Sequence, residues 1–86
     1  MEIYVTSCLS DPIDGTSSAE VLNVHKSLKE AQEECETLLN AKMVEERVTE
    51  EELESKRAKV VKLETDFSLC TADGSYFLWS IKYFDV

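Results

Sequence analysis

The residues from Tyr76 to Phe84 constrain the fold more than any other stretch of the chain. Their side chains alternate, with Phe77, Trp79, Ile81 and Tyr83 to one side and Tyr76, Leu78, Ser80, Lys82 and Phe84 to the other, which is the period-two pattern of a β-strand. A strand that is apolar on both sides belongs at the centre of a sheet, or in a sheet whose second face is partly covered. A second copy of the chain or another protein would supply such a cover. A few aromatics standing exposed on a small protein are the plainer reading.

Alternation returns elsewhere. Ile3, Val5, Ser7 and Leu9 oppose Tyr4, Thr6 and Cys8, predicting a first strand over 3–9. Residues 10–18 gather Ser, Asp, Pro, Gly and Thr, and form a loop. Ala19 to His25 reads as a shorter second strand with Leu22 and Val24 on its apolar side. From Val61 to Cys70, Val61, Leu63, Thr65, Phe67 and Leu69 alternate with Lys62, Glu64, Asp66, Ser68 and Cys70, predicting one half-buried strand. Thr71 to Ser75 is a hairpin turn, in which Asp73-Gly74 suits the positive φ such turns need.

Between the strand pairs the period changes to that of a helix. Ser27 and Glu30 form an S-x-x-E capping box. Leu28, Ala31, Cys35, Leu38 and Leu39 then make one apolar stripe, with Glu30, Glu33, Glu34 and Glu36 turned mainly to water. A second box, Thr49 with Glu52, predicts a break near Arg47 to Thr49. The helices are expected over Leu28 to about Glu46 and Glu50 to about Lys59, one continuous helix being the alternative. The expected fold class is α+β: an antiparallel four-stranded sheet in the order β-β-α-α-β-β, with the helical segment of about 28–59 packed on one face.

At 86 residues the chain has room for one core, so 1–86 reads as a single α+β domain. No stretch is apolar enough to span a membrane, and the start lacks the basic and apolar regions of a signal peptide. Three cysteines, Cys8, Cys35 and Cys70, without C-x-x-C spacing suit free thiols in a reducing compartment, so a cytoplasmic location is expected. The net charge of −9 disfavours direct contact with nucleic acid or anionic lipid, and the lysines and arginines form no basic patch.

Catalytic and cofactor chemistry finds no constellation. His25 is the only histidine, and packing accounts for the cysteines better than nucleophilic chemistry does. The Asp11, Asp14, Gly15 loop fails as a calcium loop, because alignment on Gly15 puts Ser10, Pro12 and Val21 at ligand positions. Neither a zinc ligand set nor a phosphate-binding glycine loop is present. A non-enzymatic protein without metal or cofactor is expected; an enzyme or ligand-binding domain using Cys8, His25 or the Asp11 loop is the remote alternative.

The strongest remaining signal is where the charge sits. From Glu30 to Glu54 there are ten acids against Lys42 and Arg47, a local net of −8. Such density costs stability through self-repulsion. It reads as an acidic surface that docks on a basic groove, or as solubility combined with helix propensity.

Met1 to Val5, the joint Val24 to Ala31, and Tyr76 to Asp85 together give a layout that resembles the short β-β-α-β-β proteins of bacteriophages and mobile elements. Some of these are anti-CRISPR and other anti-defence inhibitors, which occupy a surface of a host complex without catalysis. The insert from Met43 to Lys59 departs from their minimal pattern. The resemblance implies a partner in the host cell cytoplasm, a protein or nucleoprotein complex, and the acidic segment implies that its surface is basic; no family binding residues carry over. The candidate binding residues are Glu33, Glu34, Glu45, Glu46, Glu50, Glu51 and Glu52 on the helices, and Tyr76, Leu78 and Phe84 on the sheet. The rival expectation is a small homodimeric structural or adaptor protein pairing through the sheet face or the helices.

Overall fold

A computed structural model describes residues 1–86. Along the chain come β1 (Glu2–Asp11), β2 (Ser18–His25), α1 (Leu28–Glu45), α2 (Glu50–Glu54), β3 (Lys59–Lys62), β4 (Asp66–Cys70) and β5 (Tyr76–Asp85). The strands form one antiparallel sheet in the order β2-β1-β5-β4-β3. The fold is α+β, with β5 as the central strand, as its two apolar faces require. Ten consecutive pairs, from Glu2 opposite Asp85 to Asp11 opposite Tyr76, lock β1 to β5.

The sheet has five strands, not the four expected. The alternating run 61–70 folds back on itself as a hairpin: Leu63 N–H donates to the Asp66 carbonyl at 2.8 Å, and Lys62 pairs with Phe67. This register sets odd-numbered residues of β3 beside even-numbered residues of β4. Val61, opposite Ser68, therefore leaves the core that Phe67 and Leu69 enter, and Val60 packs there instead. Leu63 stays exposed at the turn.

Both N-caps form, but only the second closes its box; at the first, the Glu30 carboxylate does not return to Ser27. Ser27 Oγ accepts from the Glu30 N–H at 3.2 Å, and Thr49 and Glu52 complete a reciprocal box. The break lies at Arg47, whose φ of 54° is left-handed, so the single long helix does not occur. Instead of running to Lys59, α2 ends at Glu54. Lys56 takes φ 63° and turns the chain, and Lys59-Val60-Val61-Lys62 goes to the sheet, where its β-branched pair fits a pleated surface.

One helix supplies most of the cover for the sheet. Ala31, Cys35 and Leu39, all at 0% exposure, meet Phe67, Leu69, Phe77, Trp79 and Ile81, with Phe77 and Trp79 stacked at 6.3 Å. Lys62 Nζ on β3 reaches Glu36 at 3.1 Å, and Gln32 donates to the Glu64 carbonyl at 2.8 Å, so both tie the β3–β4 hairpin to α1. In β2 a bulge opposite Thr6/Ser7 separates two residues expected to share a face: Leu22 packs on the core, while Val24 stands opposite Val5 on the far side.

Truncating Leu39→Ala leaves a cavity where α1 meets the sheet and should cost about 3 kcal/mol. Val44→Ala, at a site 79% exposed, should cost less than about 0.5 kcal/mol. Urea denaturation midpoints of the two variants check the contrast.

Candidate functional site

Three surfaces or clusters concentrate polar chemistry or unpartnered area. The first lies where α1 crosses β1 and β2. Glu34 is one turn past Glu30 and sits beside Ala31 and Cys35, so its side chain points at the sheet, contrary to the expectation that it faces water. There its carboxylate accepts from Thr6 Oγ1 and Asn23 Nδ2, and from His25 Nε2 at 3.0 Å. Thr6, itself 0% exposed, uses its hydroxyl oxygen to accept the Asn23 N–H at 3.1 Å. Glu30, drawn from the second half of its capping box, lies 4.0 Å from His25 Nδ1.

Burial alone would raise the Glu34 pKa. The hydrogen bonds from Thr6, His25 and Asn23, with the His25 charge, outweigh it and hold the carboxyl below its ordinary value. Because these three partners come from β1 and β2, the cluster fastens the outer strand to the helix. A sequence signal for it exists, since Glu34 falls within the apolar stripe between Ala31 and Leu38. It was obscured by the neighbouring glutamates.

Cys35 lies under the helix, and burial, with the nearby Glu34 charge and Cys8, pushes its thiol up to about 11. All three cysteines are free. His25 pairs with Glu34 and Glu30, not with a thiol, and Cys8 Sγ lies 3.8 Å from Ser10 Oγ.

The second surface is the acidic helical layer. Glu33, Glu45, Glu50 and Glu51 are exposed; Glu46 and Glu52 are half-buried. Glu45 pairs with Lys42 and Glu51 with Arg57, each at 3.2 Å. Glu52 is committed to the Thr49 cap. The acids divide into two groups at opposite ends of α1, separated by Thr37, Asn40, Ala41 and Val44, all exposed. With a rise of about 1.5 Å per residue, Glu33 and Glu45 stand about 18 Å apart. Asp73 extends the second group, sharing with Glu46 and Glu52 a depression of about 330 Å³ beside the β4–β5 turn. Hydrogen bonds from Thr71 and the Ser75 backbone hold the Asp73 carboxyl below its usual range. No cluster of His, Cys, Asp and Glu has metal-binding geometry.

The third is the sheet face turned away from the helices. The register puts Tyr76, Leu78 and Phe84 there, as expected, together with Ile3, Val5 and Leu9 of β1 and Val21 and Val24 of β2. Phe84, Val21 and Val24 are 46%, 70% and 59% exposed. Ser7, Leu9, Ala19, Val21 and Ser80 line a shallow trough of about 270 Å³ in this face, bordered by Cys8 and Glu20, which the register assigns to the other face.

The comparisons with known proteins return no match among family models, curated proteins or solved structures. No helix is long and apolar enough to cross a membrane.

A carboxylate whose folded pKa is depressed contributes stability above its unfolded pKa, and that contribution is lost as pH falls through the folded value. Glu34→Gln should thus lose about 1–3 kcal/mol at neutral pH. Its urea midpoint should also fall less than that of the native chain between about pH 5 and pH 3. Equal acid sensitivity in the two proteins would remove Glu34 from the account.

Proposed function

We propose that this chain is a non-enzymatic protein-binding inhibitor of the phage anti-defence type, whose acidic helical layer occupies a basic nucleic-acid-binding groove of a host protein. The observation that carries this reading is the placement of the glutamates. Glu45 and Glu46 sit at the carboxyl end of α1, where the helix dipole is already negative and further acids destabilise, whereas Glu50, Glu51 and Glu52 stand in the first turn of α2, where its dipole favours them. Helix stability therefore gives no reason for Glu45 and Glu46, and Lys42 answers only Glu45. A surface charge that costs stability where it stands is consistent with use in binding.

Glu33, Glu45, Glu50 and Glu51 are the exposed members available to a partner. Glu52 and Glu34 act through the fold, one as a cap and the other as the tie between α1 and the outer strands. Two acidic groups about 18 Å apart along α1 suit a basic groove long enough to be engaged at both ends. Association of such surfaces is steered by charge and slows as salt rises.

Charge reversal at Glu33, Glu45 and Glu50 inverts three of the four exposed candidate acids without touching the Thr49 cap or the Glu34 cluster. Affinity capture from host lysate with the native chain should retain basic nucleic-acid-binding proteins that duplex nucleic acid competes away. The reversed variant should bind the captured protein about tenfold or more weakly, with an unchanged circular dichroism spectrum. Equal binding by the two proteins would sink the reading.

A further inference from the structure

We propose that the open sheet face seats a second copy of this chain, the two sheets stacking across a two-fold axis with the helical layers outermost. This inference stands on the composition of the sheet face and does not depend on what the acidic layer binds.

Charge decides the occupant. The chain carries −9 overall, yet the strand register places none of its thirteen glutamates on this face. The charged residues that do lie there are Asp11 and Asp66, Lys59 and Lys82, which cancel. A two-fold interface brings a surface against itself, so it must be neutral or self-complementary. This face is neutral, and it is self-complementary for an axis that sets its aspartates against its lysines. A basic partner would find only Asp11 and Asp66 here, offset by Lys59 and Lys82.

The alternative pairing, helices against helices, would set two −8 segments face to face. Sheet stacking does the reverse. Layers about 10 Å apart put the two helical layers about 30 Å from each other, several times the Debye length of about 8 Å at physiological salt. The net charge then opposes association only weakly.

Size is consistent with the same occupant. Strands spaced about 4.8 Å apart, at about 3.3 Å per residue, give the sheet a footprint on the order of 600 Å² before side-chain relief is added. A stable specific interface needs about 800 Å² per partner. The whole face is required, so the apolar residues from Val24 on β2 to Val61 on β3 take part together. Side chains on the inner faces of stacked sheets interdigitate, and the trough beside Ser7 and Ser80 is where this face can receive one.

Sedimentation velocity on the full chain, at concentrations up to about 100 µM, should give twice the chain mass of 9.8 kDa. Leu9→Lys combined with Phe84→Lys alters the face on β1 and β5, at sites already 40% and 46% exposed, and leaves the free edge of β2 intact. That variant should sediment as a monomer with native circular dichroism, whereas Val44→Lys on the helical layer should remain dimeric. If the double variant fails to fold, Val24→Lys on the same face supplies the measurement. A native chain that is monomeric throughout overturns the proposal. So does a dimer that survives the face substitutions, because the second copy would then sit on the β2 edge or the helices.

Discussion

A single apolar helical stripe has to cover a five-stranded sheet, and most of the structure follows from that shortage. A helix is about 10 Å across, so α1 reaches only the middle of the sheet. There its small residues, Ala31 and Cys35, let it approach the large ones, Phe67, Phe77 and Trp79. Beyond the stripe the fold turns to polar ties. Glu34 fastens β1 and β2 on one side, and Lys62–Glu36 with Gln32–Glu64 fastens the β3–β4 hairpin on the other. No helix remains for the opposite face, and that is why its apolar residues stand in the open.

The same shortage sorts the charge. The inner side of α1 is taken by the core and the outer strands by ties to it, so the remaining acids gather on the outer helical surface. The sheet's far side is left neutral. Two surfaces of opposite character thus lie back to back, joined through a core that contains no unpaired buried side-chain polar atom. Each can be altered without crossing the core, so effects on one are separable from effects on the other.

Much of this was legible in the residues. The two capping signals located both helix starts and the break at Arg47, because caps are local chemistry. The alternation in 76–84 identified β5 as a strand with two occupied faces. What escaped was the hairpin at Leu63-Glu64-Thr65, which has no Gly, Pro or Asn to mark it. Its two-residue tip let the alternation continue in sequence while swapping faces in space. The bulge at Leu22 was equally silent, since an extra residue in a strand shows only against its partner. Glu34 escaped because a glutamate among glutamates looks solvated, and its three partners come from β1 and β2. Within the acidic layer, the sequence showed the density but not the division into exposed acids and acids committed to caps or ties.

The pairing of β1 with β5 joins the strands that come first and last in sequence along their whole length, with the Met1 and Val86 backbones bonded to each other at the far end. Contacts this distant in sequence raise the contact order, and closure of the intervening loop has to precede any gain from them. On a ribosome, β1 and β2 can form only a hairpin, marginal in water, until β5 has emerged. Folding of this chain is therefore held back to the end of the synthesis of residues 1–86, and the nascent hairpin shows its apolar residues to the cell throughout that interval.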